Sequence, residues 1–145
     1  MNLKNIFVTT FIKQNKWHKH SVLIHTLKVS YVCLKNNRYD LFTTALLHDI
    51  GKPLVAFQDE KDIILDTYSF TNHEEKSYQI IKNIPFISTR TKTLVRYHYL
   101  IRDIVLKKKK GNLDWINKQK IWDSLDNITK KDLEVFLKFD DLGKI

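Results

Sequence analysis

The sequence holds one cysteine, Cys33, among 145 residues, which excludes an internal disulfide and leaves packing to hold the fold together. Cys33 lies among apolar neighbours and reads as a core residue; a single thiol fits a reducing compartment. Glycine and proline are nearly as scarce, at three and two residues, and no repeat or low-complexity linker occurs. That composition points to long helices with short connections. Long apolar runs are missing too. At the N-terminus, Ile6-Phe7-Val8 and Phe11-Ile12 are interrupted by Thr9, Thr10 and Lys13 before reaching the length of a signal h-region or a membrane span. The expectation is a soluble, cytoplasmic protein with no membrane contact. Acidic residues are the last shortage. There are 16 against 25 Lys and Arg, a net charge of +9, so the mean field attracts polyanions: nucleotides, nucleic acid or an anionic surface. A merely solvated basic surface is the plain alternative.

What is present fits one domain over residues 1–145, with 43% hydrophobic residues, enough to bury a core without structural metal. The organising stretch is Ala45-Leu46-Leu47-His48-Asp49-Ile50-Gly51-Lys52-Pro53. An apolar helical turn runs into adjacent His and Asp and then meets residues that stop a helix. Neighbours inside a helix point about 100° apart, whereas a helix end can aim both inward, offering a cation one nitrogen and one oxygen ligand.

Taken in order, Leu3, Ile6, Phe7, Phe11 and Ile12 recur at helical spacing and predict a first amphipathic helix ending near Asn15. His18 and His20 lie in a polar stretch and read as surface or helix-entry residues. Ser21 to Lys35, with Val22, Leu23, Leu27, Val29, Tyr31, Val32 and Leu34, reads as a buried helix interrupted by His25, which by itself could equally bond a backbone carbonyl. Tyr39 to His48 forms a second buried helix through Leu41, Phe42, Ala45, Leu46 and Leu47. Residues 54–70 lose periodicity: Asp59 to Asp62 read as a charged turn, and the segment as a long loop with a short extended piece, either a lid or wall beside the site or an inert excursion.

Thr71 followed by Glu74 is a capping-box pattern that places His73 in the first turn of the next helix, where the positive helix end favours its neutral form. A helix over about 88–106 carries Leu94, Val95, His98, Ile101 and Val105 on one side. Arg102, four residues after His98, shares its face and can hold a phosphate oxygen there, or pair with an acid such as Asp103. Lys107 to Lys110 read first as a solvated helix end suited to the negative dipole, and second as a nucleic-acid contact. Trp115 and Trp122, seven apart, read as core. A last helix, with a start signalled by Thr129, brings Asp140 and Asp141 near its end, one of which has to turn inward.

His25, His48-Asp49, His73, His98 and Asp140, in that order, resemble the HD-domain metal-dependent phosphohydrolase superfamily. The resemblance runs from about His18 to the end of the chain. Locally, His25-Thr26-Leu27-Lys28-Val29, the stretch Leu46 to Pro53, and Asp140-Asp141-Leu142-Gly143-Lys144 look most like the HD domain attached to bacterial CCA-adding tRNA nucleotidyltransferases. The nucleotidyltransferase portion is not among these residues, and no CCA-adding activity is implied.

The resemblance implies an all-α HD-domain helical bundle with a central metal site. It implies His25, His48, Asp49 and Asp140 as the basic ligand set, with His73 and His98 completing a second site bridged by Asp49. Asp140 aligns better than Asp141, because the family's glycine follows its ligand Asp by three residues. Lys52 matches a lysine near substrate phosphate. One departure is Tyr99, where some members carry a second adjacent histidine; it speaks against a third ion. The implied activity is metal-dependent hydrolysis of a phosphomonoester or phosphodiester of a nucleotide or RNA end through a metal-activated hydroxide, with Asp49 and Lys52 catalytic and Lys52 and Arg102 binding substrate. The cofactor would be two divalent ions drawn from Mn, Fe, Co, Ni, Zn or Mg. Two alternatives stand beside it: a small-nucleotide hydrolase acting on a dinucleoside polyphosphate or nucleoside phosphate, and a non-catalytic adaptor domain stabilised by metal.

Overall fold

Helix α1, Val22–Lys35, opens the computed structural model, which describes residue 14 and residues 21–145. The helix expected up to Asn15 and the readings of His18 and His20 fall outside the described residues. Ser21, extended at ψ 164°, caps α1 by accepting from the Ile24 amide. Val22, His25, Val29 and Cys33 recur every three or four residues and form its single buried face. Leu27, Tyr31 and Leu34, expected inside, lie off that face and are exposed.

A 3₁₀ turn, Tyr39–Leu41, leads into α2, Phe42–Leu47, and after Asp49-Ile50-Gly51 the chain makes one more helical turn, α3, Lys52–Val55, with Pro53 in its opening turn. Leu46, expected to be buried, is exposed. The 54–70 segment is more ordered than its composition suggests. Asp59 and Asp62 form a capping box, so the expected charged turn is instead the start of α4, Glu60–Leu65. An isolated antiparallel bridge between Phe57 and Ser69 closes the excursion.

Helix α5, His73–Ile81, does not use the expected Thr71 capping box. Asn72 is its N-cap, in the left-handed region at φ 58°, and no side chain caps it. The single helix expected over 88–106 is two: α6, Thr89–Tyr97, and α7, Leu100–Lys109, separated at His98 and Tyr99. Beyond the break Val105 faces out, 59% exposed. Helix α8, Trp115–Ser124, precedes α9, Asn127–Leu142, which starts before Thr129 because Asp126 caps it by accepting from the Thr129 amide at 2.9 Å.

The described residues therefore form an all-α assembly without a strand. Val29 and Cys33 of α1, Leu41, Ala45 of α2, Leu94 of α6, and Leu133, Phe136 and Phe139 of α9 make the main core, with Trp122 and Leu125 packed on its side. A second cluster, Ile81, Ile87 and Val95, joins α5 to α6. Asp132 of α9 bonds Arg38 Nη2 at 2.7 Å and Arg90 Nη2 at 2.6 Å, drawing the end of α1 and the start of α6 onto α9. None of the described helices is long and apolar enough to cross a membrane.

Candidate metal centre

Three histidines are oriented by the same local device. His48, the C-cap of α2, bonds the Ala45 carbonyl through Nδ1 at 2.8 Å; His73 bonds that of Phe70 at 2.9 Å, and His98 that of Val95 at 2.7 Å. A carbonyl only accepts, so Nδ1 carries the proton in each ring and Nε2 is left to point inward. Each bond reaches the carbonyl three residues earlier, which explains why each histidine sits at a helix boundary, where that carbonyl is accessible.

These rings converge on Asp49, which is 1% exposed. Its Oδ2 lies 3.2 Å from His48 Nε2, 3.5 Å from His25 Nε2 and 2.7 Å from Lys52 Nζ. Its Oδ1 faces the other way, 3.4 Å from His73 Nε2 and 3.8 Å from His98 Nε2. The carboxylate thus divides the centre into two halves. Asp140 Oδ1 joins the first, 2.9 Å from His25 Nε2 and 3.6 Å from His48 Nε2. Phe136 supports the centre from below, its ring meeting His48 and His98 edge-on.

Electrostatics separate the halves as well. Burial disfavours a proton on His48, but the Asp49 and Asp140 carboxylates outweigh it and hold the imidazole up at about 9. His73 and His98 lie further from that charge, and burial pushes them down to about 4 and about 3. Burial opposes ionisation of Asp49 and Asp140, yet Asp49 is held well below the ordinary carboxylate range by His48 and Lys52, and Asp140 by His25, His48 and Lys144. Beside His73, burial raises the Glu74 carboxyl.

The donor set fits divalent cations. His25, His48 and Asp49 bring ligand atoms within 4.8 Å of one another, and so do Asp49, His73 and His98. Asp49 Oδ1 and Oδ2 are buried, and neither takes a hydrogen bond of good geometry, although Lys52 Nζ lies 2.7 Å from Oδ2. An ionised, buried carboxylate left so short of donors needs positive charge on both sides. Mixed imidazole and carboxylate ligation suits Mn, Fe, Co, Ni, Zn or Mg.

The six expected ligand residues are all brought together, including His25, for which a purely structural reading was open. Asp140 turns inward and Asp141 outward, to Arg102 and Lys144. Lys52 is buried beside Asp49 and also donates to Gln14 Oε1 at 2.7 Å. Arg102 shares a cavity wall with His98, but its acid partners are Asp141 at 2.6 Å and Asp140 at 3.5 Å rather than Asp103. Its Nε is buried with no hydrogen-bond partner. Tyr99 packs edge-on against His73. A cavity of about 740 Å³ opens over Asp49, His73 and His98, with Phe70 on one wall and Tyr99, Arg102, Leu106, Lys107 and Lys110 on another.

Sequence reasoning missed three supporting groups. Gln14 falls at the end of the first expected helix, three residues after Phe11, where a neutral amide gives no sign of a role at the centre. Ser77 Oγ accepts from the Gly51 amide at 2.9 Å and joins α3 to α5. Lys144 Nζ lies 2.9 Å from Asp140 Oδ2; only its place in the terminal motif could have suggested it.

A protein-family model described as HD domain matches residues 22–128. No curated protein and no solved structure matches the chain. The match includes five of the six converging residues and stops short of Asp140, whose place at the centre rests on its contacts with His25 and His48.

Proposed function

Because the chain belongs to the HD domain family, we propose that it is a metal-dependent phosphohydrolase acting on a phosphomonoester or phosphodiester of a nucleotide or RNA end. The observation that carries the reading is the division of Asp49, with Oδ2 toward His25 and His48 and Oδ1 toward His73 and His98. In this reading His25, His48, Asp49 and Asp140 hold one divalent ion, and Asp49, His73 and His98 a second. Such ions act as Lewis acids toward a phosphoryl oxygen and lower the pKa of water to near neutrality.

The chain's own groups supply the rest. Asp49 stays ionised across the physiological range, so a lone pair that either oxygen does not use on an ion can accept a hydrogen bond from a hydroxyl or water and orient it. Lys52 brings a positive charge to the cavity wall beside Asp49, where phosphate charge develops, and Asp49 and Gln14 hold its amine in place. Arg102 adds its guanidinium to the same cavity lining. The cavity lining also includes Lys107, Lys110 and Lys144, in keeping with a polyanionic substrate. The likeness of the His25 and Asp140 motifs to HD domains attached to CCA-adding enzymes also supports an RNA end. The test is hydrolysis of a synthetic phosphodiester and a phosphomonoester side by side, each with Mn, Ni, Co and Mg, with Asp49→Ala as control. We expect turnover in the wild type and a loss of at least a thousandfold in the variant. Full activity and full metal content in Asp49→Ala would refute the assignment.

A further inference from the structure

Helix α7 does more than close the cavity. Tyr99, Arg102, Leu106, Lys107 and Lys110 all lie on the cavity wall, so one face of this helix runs from the metal centre to the helix C-terminus. From Arg102 to Lys110 is eight residues, a rise of about 12 Å. The far end is charged differently from the near end. Lys52, Arg102, Lys107 and Lys144 each have acid partners, Lys107 pairing with Asp103 at 2.9 Å and Asp114 at 2.8 Å. Lys110 is exposed and makes no ion pair among the described residues. Lys109, also exposed, adds positive charge at the same helix end, whereas Lys108 turns onto the Trp115 ring and Gln119 of α8.

Resting on the phosphohydrolase reading of the same site, we propose that this face binds a single-stranded oligonucleotide, its terminal phosphoester at Asp49 and an internal phosphate at Lys110. At roughly 3.4 Å per nucleotide of stacked strand, the rise of about 12 Å from Arg102 to Lys110 corresponds to about three to four nucleotide steps. Phe70 and Tyr99, on separate walls near the centre, give bases apolar faces to stack on without sequence preference. A cavity of about 740 Å³ has room for a nucleotide-sized group beside the scissile phosphate. The uncompensated charge of Lys110 at the far end of the wall favours a strand that runs along α7 over a compact nucleotide held at the centre.

The experiment compares kcat/KM for a terminally phosphorylated tetraribonucleotide, a mononucleotide, a dinucleoside tetraphosphate and p-nitrophenyl phosphate. Alongside, fluorescence anisotropy follows binding of the labelled tetranucleotide across a salt series. The tetranucleotide should exceed the mononucleotide by about tenfold at low salt. In Lys110→Ala the tetranucleotide to p-nitrophenyl phosphate ratio should fall about fivefold, and Lys110→Arg should restore it. The slope of log affinity against log salt should become shallower by about 0.7, the release expected from one strand phosphate. Equal rates for mono- and tetranucleotide, a preference for the dinucleoside tetraphosphate, or a salt slope unmoved by Lys110→Ala would each overturn the proposal. Loss of p-nitrophenyl phosphate turnover with every metal would instead sink the phosphohydrolase reading, while the anisotropy series would still decide whether the strand binds along α7.

Discussion

His73 Nε2 and His98 Nε2 lie 3.2 Å apart, although each ring has given its Nδ1 proton to a carbonyl and burial keeps both rings neutral. Two nitrogen lone pairs therefore face each other across a buried gap, with Asp49 Oδ1 alongside. A cation turns that mutual repulsion into coordination. Metal titration should accordingly saturate at two ions per chain by elemental analysis, and His98→Ala should reduce this to one. At a hundredfold excess over the dissociation constant, each ion adds about 2.7 kcal/mol. For a chain of this size that raises Tm by roughly 8 °C. A stoichiometry unchanged in His98→Ala would remove His98 from the second site.

Gly51 should be the most sensitive small residue. A Cβ there would come within 2.5 Å of the Ser77 amide nitrogen and 2.7 Å of the His73 carbonyl oxygen, both backbone atoms that cannot rotate away. Gly51→Ala must therefore push α3 from α5 and carry Asp49 away from His73. The expected cost is about 1–3 kcal/mol by chemical denaturation, accompanied by weaker occupancy of the His73–His98 half. An unchanged unfolding midpoint would show that the two helices can separate freely.

Replacing Lys52 with Met keeps most of its length and removes its charge. If Lys52 stabilises developing phosphate charge, kcat should fall by about 10²–10³ while metal content stays at the wild-type level. If metal content fell in parallel with activity, Lys52 would be acting through Asp49, which it contacts at 2.7 Å, rather than on substrate.

Acid sensitivity should arise partly far from the cavity. Hydrogen bonding to Arg38, opposed by burial and reinforced by Arg90, lowers the Asp40 carboxyl strongly in the folded state. The stability it contributes is fully present above the unfolded pKa, about 3.9, and is lost as pH falls from there toward the folded value. Asp40→Asn should thus be less stable than wild type at pH 6, and the gap should narrow below about pH 4. Because Asp40 and both arginines are partly exposed, the gap should be about 1 kcal/mol or less. Thermal melts of both proteins from pH 3 to 7 measure it; a constant gap would mean that the carboxylate charge is not what matters.

Most of the helices were legible in the sequence because they depend on local spacing. The stripe of Val22, His25, Val29 and Cys33, the Ser21 cap and the stop after Leu47 are each decided by neighbours within one or two turns. Spacing alone left His25 open to a structural role; it was the order of the histidines and aspartates, through the resemblance it carries, that singled out the six-residue set. The charged run at Asp59 was harder to read, because acidic residues suit both a turn and the first turn of a helix, and only the reciprocal Asp59–Asp62 bonds choose the helix. The break at His98 was hidden because the apolar pattern continues across it.

Tertiary structure alone decided which groups meet and what charge they carry. No periodicity predicts that Gln14 reaches Lys52, that Arg102 takes Asp141 rather than Asp103, or that one carboxylate turns its two oxygens toward separate histidine pairs. Nor can spacing show that His48 is held up while His73 and His98 are pushed down, since all three share one burial and one carbonyl device. The difference lies in ångström-scale distances to Asp49 and Asp140. Coulombic energy varies with those distances and with the exclusion of water, and both exist only once helices remote in sequence have packed together.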